Sequence, residues 1–171
     1  MSSSTSQLVH FYQGIANDSE GRYLKDIQQW DYEQLEYVHN YIQWLFPLPE
    51  RSSYNANAPI LKTEDIHKFI NSPELRQELL NNLDIMLGFY GFIRYSNKIL
   101  PAANYQDRIQ IWLNYGNHNF LRISRILKSL RLLGLAKEAQ HLFQALEQIY
   151  PDNKTEIGNS FQHWQDAISH T

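Results

Sequence analysis

The chain has 171 residues and a formal net charge of −3, long enough for one domain with a real core and near neutral overall, though unevenly charged along its length. Cysteine is absent, which excludes a disulfide framework and any cysteine-based zinc or redox site and suits a reducing compartment. No run of about 18 apolar residues occurs, and the Ser/Thr-rich start lacks the regions of a signal peptide, so a soluble cytoplasmic protein is expected.

Apolar residues recur at spacings of three, four and seven, with no alternation of period two. The expected fold is all-α, a single domain over 7–170 with about seven to nine helices, preceded by a disordered 1–6. A short helix is expected over Gln7–Tyr12, closed by Gly14, and a second over Leu24–Gln29. Asp31 then caps a major helix running to Phe46, where Pro47 and Pro49 stop it. Residues 47–61 read as a long loop, a length that is often functional. Thr63 is expected to cap a helix to Asn71. Ser72-Pro73-Glu74 restarts another, with Ser at the cap and Pro in the first turn, and this one reaches Tyr90. The segment 91–105 has no clear pattern. Helices follow over Gln106–Leu113, Asn119–Leu133, Ala136–Tyr150 and Ser160–Ser169.

Projected as one helix, 31–46 has an apolar arc of Leu35, Val38, Ile42, Leu45 and Phe46, and a second of Tyr37, Tyr41 and Trp44. A helix with two apolar sides is usually buried. Between the arcs lies a polar wedge of Glu36, His39, Asn40 and Gln43. The helix at 119–133 carries Phe120, Ile123, Ile126, Leu127, Leu130 and Leu133 on its core side. Beside them runs a stripe of His118, Arg122, Arg125 and Ser129, while Lys128 and Arg131 fall elsewhere and read as solvated. If the two strips meet, Glu36 pairs with Arg122 or Arg125 in a structural network. The functional alternative is one pocket, in which two guanidinium groups hold a carboxylate or phosphate. Plain solvation is the third reading. Trp44→Ala is expected to cost about 3–5 kcal/mol.

Catalytic motifs are weak. Glu36-x-x-His39 and Glu64-x-x-His67 have di-iron spacing, but such a centre needs two further inward carboxylates, and Glu64 reads as a helix-start acid. There is no Gly-x-Ser-x-Gly elbow and no glycine-rich phosphate loop, since Gly88 and Gly91 bracket Phe89-Tyr90. No cofactor or metal is expected, and no constellation argues for an enzyme. Residues 108–137 carry Arg108, Arg122, Arg125, Lys128, Arg131 and Lys137 with no acid, a block that serves either a nucleic-acid face or internal pairing.

Three stretches, GRYLKDIQQWDYEQLE at 21–36, HNYIQWLFPLPERS at 39–52 and HNFLRISRILKSLRLLGL at 118–135, resemble the opioid growth factor receptor conserved domain, as do FYG at 89–91 and Trp164 with Ala167. The resemblance runs from about Phe11 to Ala167. It implies a stand-alone member of a non-animal type, in a family whose animal members are named for binding an enkephalin-type opioid peptide. It implies no catalytic residue. The expected function is therefore a non-enzymatic module binding a peptide or small anion beside Glu36, His39, Gln43, Arg51, His118, Arg122 and Arg125. Nucleic-acid binding through 108–137 is the alternative.

Overall fold

The computed structural model describes residues 5–169, so Met1–Ser4 of the N-terminal run expected to be disordered lie outside the described residues. Thr5 and Ser6 have defined places. The Ser6 hydroxyl caps the first helix by accepting from Val9 N and donates to Asp65 at 2.7 Å, and Thr5 accepts from Lys68 Nζ.

The described chain divides into two units, Met1–Asn82 and Leu83–Thr171. The first holds α1 (Gln7–Tyr12), α2 (Leu24–Gln28), α3 (Tyr32–Tyr37), α4 (Ile42–Leu45), α5 (Thr63–Asn71) and the start of α6 (Pro73–Tyr90). The second holds the end of α6, a hairpin of β1 (Phe92–Tyr95) and β2 (Lys98–Pro101), α7 (Tyr105–Trp112), α8 (Asn119–Leu132), α9 (Ala136–Ile149), α10 (Lys154–Ile157) and α11 (Ser160–Ser169). A 3₁₀ turn covers Tyr150–Asp152. The described residues thus contain eleven α-helices and a small sheet, so the all-α expectation and its count of seven to nine are both corrected.

The hairpin escaped the periodicity because each strand is four residues long, too short for alternation to stand out. Its register pairs Ile93 with Leu100 and Tyr95 with Lys98, leaving Ser96-Asn97 as a two-residue turn. Ser96 takes φ +57°, the sign that a II′ turn needs at its first central position. Gly91 at φ +94° ends α6, donating to Leu87 O at 2.8 Å.

The helix expected over 31–46 is two helices. Asp31 does cap α3, accepting from Gln34 N while the Gln34 side chain reaches back to Asp31 N. Val38 then turns extended, at φ −85° and ψ 129°, and the next helix begins at Ile42 with Tyr41 as its N-cap. One smaller difference, at α5, and one agreement, at α6, follow the same logic of local capping. Thr63 is the first helical residue of α5 rather than its cap, because the Asp65 carboxylate accepts from Lys62 N at 2.9 Å. Ser72 caps α6 as expected, accepting from Leu75 N.

Aromatic rings fill the core of each unit. In the first, Phe11 lies 5.2 Å from Trp44 and Tyr12 meets Phe69 edge-on at 4.8 Å. Leu35, Tyr41, Ile42, Leu45 and Phe46 are buried as their arcs require, but Tyr37 is 71% exposed. In the second, α8, α9 and α11 pack together. All six expected core residues of 119–133 are buried there. Trp112 and Trp164 are also buried and satisfy their indole N–H groups on the carbonyls of Tyr90 and Phe120, at 2.9 and 3.0 Å.

Candidate functional site

The break between α3 and α4 decides what becomes of the first polar wedge. With Val38 extended and α4 starting only at Ile42, Glu36, His39, Asn40 and Gln43 do not form one helical stripe. Glu36 is half-buried on α3, His39 is exposed in the linker, and Gln43 is buried on α4. The Glu36-x-x-His39 spacing therefore loses the helical face that metal ligation would need. Among the described residues, no three His, Asp or Glu side chains come together as metal ligands.

Backbone groups freed by a broken helix must find partners elsewhere. Here side chains supply them. The Tyr41 hydroxyl donates to Leu35 O at 2.6 Å, and Gln43 Nε2 to His39 O at 3.4 Å. Arg22 grips Asn40 twice, Nη1 on Oδ1 at 3.0 Å and Nη2 on the backbone oxygen at 3.2 Å. Arg22 is itself fixed. Its Nε meets the buried Asp18 carboxylate at 2.8 Å, and its guanidinium lies 5.3 Å from the centre of the Trp30 ring. Asp18 also accepts from Glu20 N and Arg22 N, which shapes the turn that presents the arginine. Sequence reasoning missed this clamp. Its one visible sign is an Asp four residues before an Arg in a glycine-bearing turn, a pattern with many ordinary uses.

The loop at 47–61 is built rather than slack. Leu61 N donates to Leu48 O at 2.9 Å, closing its neck. Within it, Ser52 Oγ accepts from Tyr54 N and Asn55 N, and Asn55 Oδ1 accepts from Asn57 N. The Asn55 amide reaches out to Gln43 Oε1 at 3.4 Å and Asn40 O at 3.5 Å. So Gln43, the His39 carbonyl, Asn40 and Asn55 are brought together, while Arg51 and Tyr54 stand exposed on the same loop.

The second wedge keeps its helix but runs from water into the interior. His118 is exposed, Arg125 half-buried, Arg122 only 6% exposed and Ser129 fully buried. Arg122 Nη1 donates to Asn119 Oδ1 at 3.3 Å, and the Tyr90 hydroxyl donates to the same oxygen at 3.2 Å. Asn119 Nδ2 lies 3.4 Å from His118 Nε2. Asn119 and Tyr90 were not among the expected site residues. A buried Asn in the first turn of a helix looks from sequence like a cap, and Asn117 performs that role instead, accepting from Asn119 N at 2.9 Å.

Other arginines of the 108–137 block also hold neutral oxygens. Arg108 Nε donates to Phe89 O at 2.6 Å, with its guanidinium 4.9 Å from the Phe89 ring centre. Arg131, expected to be solvated, donates to Ala167 O at 2.8 Å and ties α11 to α8. Lys128 is half-buried.

Against known proteins, the family model described as the opioid growth factor receptor conserved region matches residues 2–164. The chain belongs to this family. Over 134 residues it is 43% identical to the opioid growth factor receptor of Rattus norvegicus, covering 74% of this chain and 23% of that protein. The Homo sapiens receptor is 45% identical over 121 residues, 67% of this chain and 18% of the relative. Opioid growth factor receptor-like protein 1 of Mus musculus is 41% identical over 132 residues, 74% and 28% of the two chains. The chain thus spans less than a third of the length of these relatives. No solved structure matches.

No helix among the described residues is long and apolar enough to cross a membrane.

Proposed function

We propose that this family member is a non-enzymatic binding module for a peptide or small anionic ligand, working in the cytoplasm. The observation that carries the reading is the loop at 47–61. Its neck is closed and its interior is held by Ser52 and Asn55, yet it leaves Arg51 and Tyr54 open to solvent. An ordered loop bearing an exposed Arg and Tyr suits peptide contact, because aromatic and guanidinium anchors bind at low ordering cost. His39, Gln43 and Glu36 flank it from the α3–α4 segment. In the second unit, His118 and Arg125 are the accessible members of the expected site, and Arg122 acts from the interior by fixing Asn119. The names of the mammalian relatives, receptors for an opioid growth factor, support the peptide class.

The nucleic-acid alternative draws less support. Arg108 and Arg131 each place Nε–H on a main-chain carbonyl, a donor then not turned outward to a phosphate.

Calorimetry of the whole chain with an enkephalin-type opioid peptide and with inorganic phosphate tests the reading. Binding to either that weakens about tenfold in an Arg51→Ala, Tyr54→Ala double variant is expected. Absence of heat with both ligands, or binding indifferent to the double variant, rejects the loop as the site.

A further inference from the structure

The β1–β2 hairpin of the Leu83–Thr171 unit keeps one of its two faces in water, and that face is apolar. Side chains alternate along a strand, and residues paired across a ladder share a face. The register pairs Ile93 with Leu100 and Tyr95 with Lys98, so these four side chains adjoin on one side. Ile93 is 53% exposed, Tyr95 71% and Leu100 39%, and Lys98 is exposed beside them. The other side carries Phe92 and Ile99, both buried, and β2 packs against α9. A single apolar side chain on a surface is ordinary, whereas three set side by side by a ladder form a patch.

The patch is held still. Ala102 N donates to Gly91 O at 2.8 Å and closes the base of the hairpin. Arg94 Nε and Nη2 hold the Asp84 carboxylate at 2.6 and 2.9 Å, which ties β1 to α6. Apolar groups fixed in advance lose little freedom on binding. Charge then narrows the choice of partner. Arg94 lies on the other side of the hairpin and is neutralised by Asp84, with Glu138 adding to its acidic surroundings. Of the four residues on the apolar side only Lys98 is charged, and its ammonium makes no hydrogen bond or ion pair among the described residues. An ammonium at the rim of an apolar patch attracts a carboxylate and repels a cation.

We propose that the exposed face of the hairpin, Ile93, Tyr95 and Leu100 with Lys98 at its turn end, is a docking surface for an apolar segment of a partner protein that sets an Asp or Glu against Lys98. This surface is separate from the loop at 47–61 and stands or falls without the reading given there.

A random-peptide display library selected on the intact chain is the test, with a Tyr95→Ala, Leu100→Ala variant and a Lys98→Glu variant, each checked for an unchanged melting curve. Enriched peptides are expected to join apolar residues to an Asp or Glu and to bind the double variant about tenfold more weakly. They should also lose about tenfold on Lys98→Glu, and exchanging their acidic residue for Lys should restore binding to that variant. Lys98→Glu and the exchange decide alone if the double variant melts lower. Failure of the exchange, enrichment of peptides without a carboxylate, or no enrichment overturns the proposal. Equal binding to the native chain and both variants overturns it too; if those peptides instead weaken on Arg51→Ala, Tyr54→Ala, the loop at 47–61 keeps its role and the hairpin has none. Sedimentation of the chain alone checks for a second copy, and a dimer abolished by Tyr95→Ala, Leu100→Ala would replace the partner with self-association.

Discussion

Tyr12 and Asn82 converge on a single main-chain oxygen, the carbonyl of Leu45. The Tyr12 hydroxyl donates to it, and Asn82 Nδ2 reaches it at 3.2 Å while also donating to Tyr12 Oη at 3.1 Å. Gln28 completes the set by donating to Asn82 Oδ1 at 2.9 Å. Asn82 is fully buried, so removing its amide strands several polar groups at once. Asn82→Ala is expected to cost about 2–4 kcal/mol and Tyr12→Phe about 1–2 kcal/mol, with non-additive effects in the double variant. Urea denaturation of the two single variants and the double measures all three.

Burial pushes the ionisation of the Tyr12 hydroxyl well above the ordinary tyrosine range, and the charge of Glu78 raises it further while Asn82 opposes the shift. The folded chain keeps this proton where the unfolded chain loses it. Stability from this source is therefore intact below about pH 10 and declines as pH rises beyond it. Melting temperatures recorded across the alkaline range should fall in the native chain and fall less steeply in Tyr12→Phe. Equal slopes would mean that other groups govern alkaline unfolding.

Gly91 cannot accept a side chain. A Cβ there would lie 2.8 Å from the Tyr105 Cα and 3.1 Å from the Arg108 Cβ, at a positive φ that disfavours any L-residue. Gly91→Ala combines left-handed strain with overpacking and is expected to destabilise by about 2–4 kcal/mol. Gly14, equally left-handed but with nothing nearby, supplies the control, and its alanine variant should lose about 1–2 kcal/mol.

Arg22→Ala leaves the buried Asp18 carboxylate without its cation and Asn40 without two donors. A loss of about 3–5 kcal/mol is expected. Arg22→Lys keeps the charge but not the fork, and should recover only part of it. Hydrogen exchange at 38–43 would show whether the loss is centred on the α3–α4 break, and protection unchanged there would refute the clamp.

The indole N–H of Trp44 is buried without a hydrogen-bond partner among the described residues. Trp44→Ala should still cost about 3–5 kcal/mol through lost packing. Trp44→Phe removes the stranded donor along with part of the ring, and should cost less than half as much. Comparable losses in the two variants would show that a donor bond is being made after all.

Most helix boundaries were readable because local side chains set them. Gln7–Tyr12 and Ser160–Ser169 appear as expected, and Ser72 marks the start of α6. The core side of α8 was readable for the same reason, a 3.6-residue period kept over a full-length helix. The interruption at Val38 was not. Nothing at 37–41 forbids a helix, and Asp31 with Gln34 starts one well. What stops it comes from Arg22, eighteen positions from Asn40, and from Asn55, fifteen positions beyond it. Tertiary contacts overrode local propensity there, and with them fell the stripe inferred for Glu36, His39 and Gln43. The α8 stripe survived as a line on a helix, but the sequence carried no sign that it sinks inward to where Arg122 lies buried and donates to Asn119.

The clamp on Asn40 also limits how this protein can vary. Its two jaws belong to irregular stretches, the turn around Asp18 and the span after Pro47, which in most helical proteins are the places where insertions and deletions accumulate. Here a residue gained or lost in either would swing Arg22 or Asn55 off its acceptor. Spacing in these connections should then be held as tightly as the hydrocarbon interior, and length changes should collect in other segments.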